Sequence, residues 1–235
     1  MRVFWFGLLL VLAGCGGGED PVEDLVADLD QYPEYSLIVE DVREEEGFFP
    51  DYFLRFKTLT ASGQQVAGRD TVVWEERLSE EYPASEEVFG QYENYLGMVV
   101  AAKTADGRQS GPAQAHPPGY QYVDNPRYGS WDSGGFWQFY GPYMMMSQLM
   151  GGWRGNRADY GDYRRTYERG QPYAGPETGG RTPFGTGGTT IEKNRPEFFK
   201  RYQQRLGGSR FRERVQTRMG RGGSSWGSGS VRSGK

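Results

Sequence analysis

One cysteine and one histidine, Cys15 and His116, stand 101 positions apart. The pair excludes an intrachain disulfide and a Cys/His zinc site, and with Cys15 in an apolar leader it gives no thiol–imidazole dyad. A G-x-S-x-G pattern occurs at Gly223-Ser224-Ser225-Trp226-Gly227. It sits in a Gly/Ser run without the strand–turn–helix elbow and histidine partner that a serine nucleophile needs. Gly229 to Lys235 spells G-x-x-x-x-G-K without the Ser/Thr that would hold magnesium or a helix to follow, and no G-x-G-x-x-G occurs. Met144-Met145-Met146 offers soft sulfur to Cu(I), but consecutive side chains point different ways and no His or Cys flanks them. An enzyme built on this chain would run on carboxylates, a pair among Glu40, Asp41, Asp70 and Glu75, as glycoside hydrolases do; nothing in their context selects a pair. No catalytic residue, metal site or cofactor is therefore assigned.

Cys15 has other chemistry on offer. Met1-Arg2 is a minimal positive start, and Val3 to Leu12 is a ten-residue apolar run, half the ~20 residues that span a bilayer. Leu12-Ala13-Gly14-Cys15 follows. Small residues at 13 and 14 let a peptidase approach the backbone, and the thiol beyond them can be alkylated by a lipid. The motif resembles the lipobox of bacterial lipoproteins, and the resemblance covers about the first 18 residues. It implies diacylglyceryl transfer to Cys15, cleavage after Gly14 and acylation of the new amino terminus. One acyl chain anchors only marginally, whereas three hold a protein essentially permanently. Gly16-Gly17-Gly18 reads as a flexible tether. In enterobacterial lipoproteins an Asp directly after the Cys retains the protein at the inner membrane. Gly16 stands there here, so the resemblance leans toward the outer membrane, facing the periplasm.

Charge divides the rest. From Gly16 to Val123 there are 22 acids and 7 bases, a net of −15; from Asp124 to Lys235 there are 9 acids and 19 bases, a net of +10. Glycine follows the same division, 13 in the first 123 residues and 23 after them. An acidic front and a basic, Gly-rich back imply separate roles or mutual attraction.

Residues 20–123 are expected to fold. Asp20-Pro21 opens a helix with Glu23 and Asp24 in its first turn, and Pro33 ends it. Tyr35 to Val42 reads as a strand with Tyr35, Leu37 and Val39 on one face. Glu44-Glu45-Glu46-Gly47 reads as a solvated turn. Tyr52–Thr60 and Val66–Trp74 read as strands joined by a short hairpin at Ala61–Gln64. Arg55, Lys57 and Arg69 are expected to pair across strands with Asp70, Glu75 or Glu76. Ser85 caps a helix presenting Val88 or Phe89 and Tyr92, and Leu96–Lys103 is an inner strand closed by the turn at Ala105–Arg108. The expected fold is α+β: a small antiparallel sheet of three or four strands with one or two helices, followed by a largely disordered Gly/Arg/Tyr-rich C-terminal region.

Residues 124–153 form an aromatic and Met-rich stretch in which Ser133 to Trp153, 21 residues, carry no charge. Gly134, Gly135, Gly141, Pro142, Gly151 and Gly152 break it as a membrane helix. Three placements stay open: packed back on the sheet as a missing core element, lying in a membrane interface, or docking a partner through Trp137, Tyr140, Tyr143, Met144, Met145 and Met146. Residues 154–191 read as a disordered linker. Residues 192–219 form a basic amphipathic helical segment, and 220–235 a disordered RGG/Ser-rich tail. In the basic segment and tail, Arg201, Arg205, Arg210, Arg214 and Arg218 supply charge, and Phe198, Phe199, Phe211 and Trp226 supply apolar anchors. The function expected is that of a lipid-anchored cell-envelope protein with a structural or interaction role. Its basic tail contacts anionic lipid, lipopolysaccharide, wall polymer or an acidic partner. The alternatives are an accessory subunit of a membrane transport or assembly complex, and the carboxylate hydrolase above. Export removes the nucleic-acid reading that an RGG-like end invites.

Overall fold

The computed structural model describes residues 20–45, 47, 50–66, 69–149 and 155–207. Cys15 and its leader lie outside the described residues, as do Arg210, Phe211, Arg214, Arg218 and Trp226. Asp20 caps the first helix, α1 (Pro21–Leu29), its carboxylate accepting the Val22 N–H at 3.0 Å. Pro21 at the first helical position has no N–H to leave unsatisfied. The chain then enters β1 (Glu34–Glu45), which pairs antiparallel with β2 (Asp51–Val66), itself paired with β3 (Arg69–Ala84). Ser85 caps α2 (Glu86–Tyr92), and β4 (Val99–Lys103) returns on the far side of β1, followed by the two-residue β5 (Gln109–Ser110). The sheet order is β3-β2-β1-β4-β5.

Five strands stand where three or four were expected. The hairpin is also longer than expected: Ala61 pairs with Trp74 and Gly63 with Val72, so Ala61–Gln64 is ladder and the reversal falls beyond Val66. Gly63 there adopts no left-handed backbone, so nothing turns the chain at that point. Glu44 and Glu45, expected in a solvated turn, still pair with Tyr52 and Asp51. The free edge is β3, whose exposed Glu75, Glu76, Arg77, Glu80 and Glu81, with Pro83 and a bulge opposite Arg55–Lys57, blunt it against further strand pairing. Cross-strand charge pairing is realised, for Lys57 with the expected Glu76 and for Arg55 with Glu81, which was not among the expected partners. Lys57 meets Glu76 and Glu40, both at 3.2 Å, and Arg55 meets Glu81 at 3.3 Å.

Both faces of the sheet are covered, and by residues on both sides of position 123. On one face Tyr35, Leu37, Val39, Leu54 and Phe56 pack under α1 and α2, together with Tyr163, Tyr173, Phe184 and Ile191. On the other, Ile38, Leu59, Val99 and Ala102 pack against Tyr122, Tyr128, Tyr143 and Met146. The aromatic stretch forms the ribbon β6 (Gly129–Trp131) and β7 (Trp137–Phe139), then a 3₁₀ turn at Gly141–Met144 running into α3 (Met145–Leu149). Gly129 is required in the ribbon, since a Cβ there would lie 2.2 Å from the Gln138 carbonyl oxygen and 2.8 Å from the Trp137 ring.

Residues 155–191 are not an unstructured linker. Asn156 and Asp159 form a reciprocal capping box that starts α4 (Arg157–Glu168), which buries Tyr163, and α5 (Thr189–Asn194) buries Ile191. Tyrosines at 160, 163 and 167 give α4 one aromatic face. Their hydroxyls and the neighbouring arginines make the segment read as polar, so composition alone predicts no fold for it. A last helix, α6 (196–207), closes the described chain. No helix among the described residues is long and apolar enough to cross a membrane.

Candidate functional site

Three sites follow from this architecture. The first is the expected basic surface. Arg195, between α5 and α6, pairs with Glu40 and, at 3.5 Å, with Asp41; Arg205 on α6 pairs with Glu44 and, at 3.5 Å, with Glu93. Arg205 was expected to face an outside anion and instead closes against the chain's own acidic strand. Phe198 and Phe199 pack at the margin of the core and do not stand as free anchors. Arg201 is exposed. Partly exposed ion pairs contribute about 0–1 kcal/mol each, whereas burying Phe184 or Ile191 contributes about 1.5–3 kcal/mol. Apolar contacts therefore hold residues 184–207 down, and the arginines fix their register on β1. Glu40 and Asp41, candidates for a catalytic pair, are both in these ion pairs, and Glu75 meets Arg77 at 2.7 Å on the exposed edge.

The second is the expected docking stretch. Trp137, Tyr143 and Met146 are buried in the chain's own core, so they are not surface residues, and Met145 and Leu149 are partly buried beside them. The stretch packs on the sheet because that face of β1, β2 and β4 is apolar and the first 123 residues supply too little to cover it. Tyr140 and Met144 remain outside, 49% and 62% exposed. Beneath the stretch, the Tyr143 hydroxyl donates to the Glu34 carboxylate at 2.7 Å. Burial pushes the Glu34 pKa up, and the Tyr143 bond and Arg127 only partly oppose it.

The third site has no counterpart among the sequence expectations. A cleft of about 400 Å³ opens between the β4–β5 edge and α4. Tyr120, Tyr160, Tyr163 and Tyr167 form its aromatic wall, while Thr104, Arg108, Asp124 and Arg164 contribute polar groups. The Tyr167 hydroxyl donates to the Gln109 carbonyl at 2.8 Å, tying α4 to β5 across one end. Beneath the wall His116 is fully buried. The Pro117 carbonyl can only accept, so Nδ1 carries the proton at 2.9 Å from it, and Nε2 is left to face the Ser110 hydroxyl at 3.4 Å. Burial lowers the pKa of this ring to about 4. The sequence signal for the cleft was the tyrosine spacing at 160, 163 and 167; the approach of α4 to β5 had no local signal. Among the described residues no group of three or more His, Cys, Asp or Glu is placed to hold a metal ion.

Compared with protein-family models, with curated proteins and with solved structures, the chain matches none. Its fold is α+β on a mostly antiparallel five-stranded sheet.

Proposed function

We propose that this is a lipid-anchored protein of the bacterial envelope that works by making contacts, with Cys15 as the acylated residue and the basic C-terminal residues facing anionic envelope material. The observation supporting the contact role is the division of labour among the arginines. Arg195 and Arg205 neutralise the acidic face of β1 within the molecule, and residues 208–235 then hold 7 further bases against 1 acid. The acidic domain thus receives the start of the basic segment, and the surplus positive charge lies beyond it.

The anchor is tested by intact-mass analysis of the native protein. The expected product starts at Cys15 and carries a diacylglyceryl group and an amide-linked acyl chain; an intact Met1 with a free thiol would refute it. The tail is tested with an unacylated Cys15→Ser form of residues 15–235 and sedimented vesicles. Binding is expected to vesicles rich in anionic lipid and not to phosphatidylcholine, to fall by an order of magnitude or more between low and high salt, and to vanish on truncation after Leu206. Binding that is indifferent to lipid charge or to salt would remove the electrostatic reading. A second reading, docking of a protein partner in a membrane complex, has the exposure of Tyr140 and Met144 in its favour. Crosslinking in cells that recovers one stoichiometric protein, lost in a Tyr140→Ser/Met144→Ser variant, would select it.

A further inference from the structure

We infer that the cleft between α4 and the β4–β5 edge binds a neutral saccharide. This inference stands apart from the anchor and the basic tail, since it uses none of their residues.

The walls come first. Tyr160 and Tyr167 are only half-buried, so aromatic surface stays available along the cleft. The C–H faces of a sugar ring pack on such a surface while its hydroxyls stay free for polar partners. Around the wall stand planar groups with paired donor or acceptor atoms, the guanidiniums of Arg108 and Arg164 and the carboxylates of Asp124 and Glu168, the groups that hydrogen-bond hydroxyls in pairs. A wholly apolar ligand would strip water from these groups and return no hydrogen bond, a heavy penalty in a site built for polar contacts.

Charge then separates a saccharide from an anion. Two arginines and two carboxylates line the cleft, and the arginines already have partners. Arg108 meets Asp106 at 3.0 Å, and Arg164 meets Glu168 at 3.3 Å. Asp124 is held by the Trp131 indole N–H at 2.8 Å. A phosphate or sulfate would meet two carboxylates beside the two guanidiniums, in a cleft whose lining charges cancel and give no net attraction. A neutral polyol adds hydrogen bonds to groups already fixed in place.

Two details fit a built site. Asp124 is held at φ 64, in the left-handed region, the one non-glycine residue so placed among those described. Gln121, 8% exposed, lines the cleft and gives its amide N–H to Ser36 at 2.8 Å. The volume, about 400 Å³, lies near the low end of the ~300–1,000 Å³ of ligand sites and suits one or two sugar rings of a longer chain.

The test titrates the full-length chain, in a zwitterionic detergent free of sugar headgroups, with tetra-N-acetylchitotetraose, maltotetraose and cellotetraose, and separately with inorganic phosphate. Calorimetry and saturation-transfer NMR are the readouts. Saturable binding of at least one tetrasaccharide is expected, unchanged between low and high salt. Tyr160→Ala and Arg164→Gln should each weaken it about tenfold, the loss of one stacking surface or one charged hydrogen bond, while Tyr160→Phe keeps affinity within about threefold because the ring remains. Arg164 is exposed, so its variant keeps the fold and decides the matter if Tyr160→Ala does not. No saturable binding by any of the three sugars, salt-sensitive binding of phosphate in their place, or full affinity in Arg164→Gln would overturn the inference.

Discussion

A chain ended after Val123 is expected to lose the native fold altogether. Residues beyond that point bury Tyr128, Trp137, Tyr143 and Met146 on or beside one face of the sheet, and Tyr163, Tyr173, Phe184 and Ile191 on the other. At about 1.5–3 kcal/mol for each large side chain buried, an upper estimate, their combined contribution matches or exceeds the ~5–15 kcal/mol that keeps a whole domain folded. The truncated chain should show no cooperative urea transition and no near-UV circular dichroism. A point substitution isolates the same dependence. Tyr163 packs edge-on or tilted against His116, Tyr120, Tyr160, Tyr167 and Tyr173 at ring separations of 5.2 to 5.9 Å. Tyr163→Ala should cost about 3–5 kcal/mol, the range for deleting a buried aromatic side chain. Native-like cooperative unfolding of the truncated chain would show that residues 20–123 are self-sufficient after all.

Stability should also respond to pH with two opposed slopes from two buried groups. His116 is neutral in the fold, with its pKa lowered by burial to about 4. Between pH 6.5 and 4 the unfolded chain therefore binds a proton that the folded chain refuses. Stability falls through that window, by about 3 kcal/mol at about 1.4 kcal/mol per pH unit. Glu34 has the opposite sign. Its pKa is raised by burial, against the Tyr143 hydrogen bond, so the fold keeps this proton to higher pH than the unfolded chain does. Its stabilising contribution is complete below the ordinary glutamate range and is lost as pH rises through the raised value. Urea denaturation across pH 4 to 9 separates the two. His116→Phe, which keeps a ring against Tyr163, should flatten the acid limb, and Glu34→Gln, which still accepts from Tyr143, should flatten the other and gain stability relative to the unaltered chain as pH rises. Parallel curves for Glu34→Gln and the unaltered chain would show that the carboxyl does not titrate as its burial requires.

The elements read correctly from the sequence are those whose signals are local. Asp20-Pro21 and Ser85 are side-chain caps, and the alternation of Tyr35, Leu37 and Val39 sets one buried face of β1 within a few residues of chain. What sequence could not supply were distant pairings. Gly63 has the residue type of a turn, but β3 pairs past it and the hairpin register is set farther along the chain. The stretch 155–191 reads as unstructured because tyrosine counts as weakly polar alone, whereas Tyr160, Tyr163 and Tyr167 are apolar in bulk once they meet Tyr120 and Tyr173. The docking reading failed for Trp137, Tyr143 and Met146 for a related reason. A charge-free aromatic run has the same composition whether it covers a partner or the chain's own sheet, and only the uncovered face of β1, β2 and β4 decides between them. The cleft combines both problems, since its two walls come from segments about 50 positions apart.

Asp20 holds the α1 amide with one carboxylate oxygen and accepts the Tyr92 hydroxyl with the other at 2.6 Å. The fold is thus riveted at its first described residue, five positions after Cys15. Five residues extend at most about 17 Å, so with a lipid at Cys15 this end of the body hangs on a short leash, barely clear of the lipid headgroups. On the proposed anchoring, reach toward any more distant surface would rest with the other end of the polypeptide.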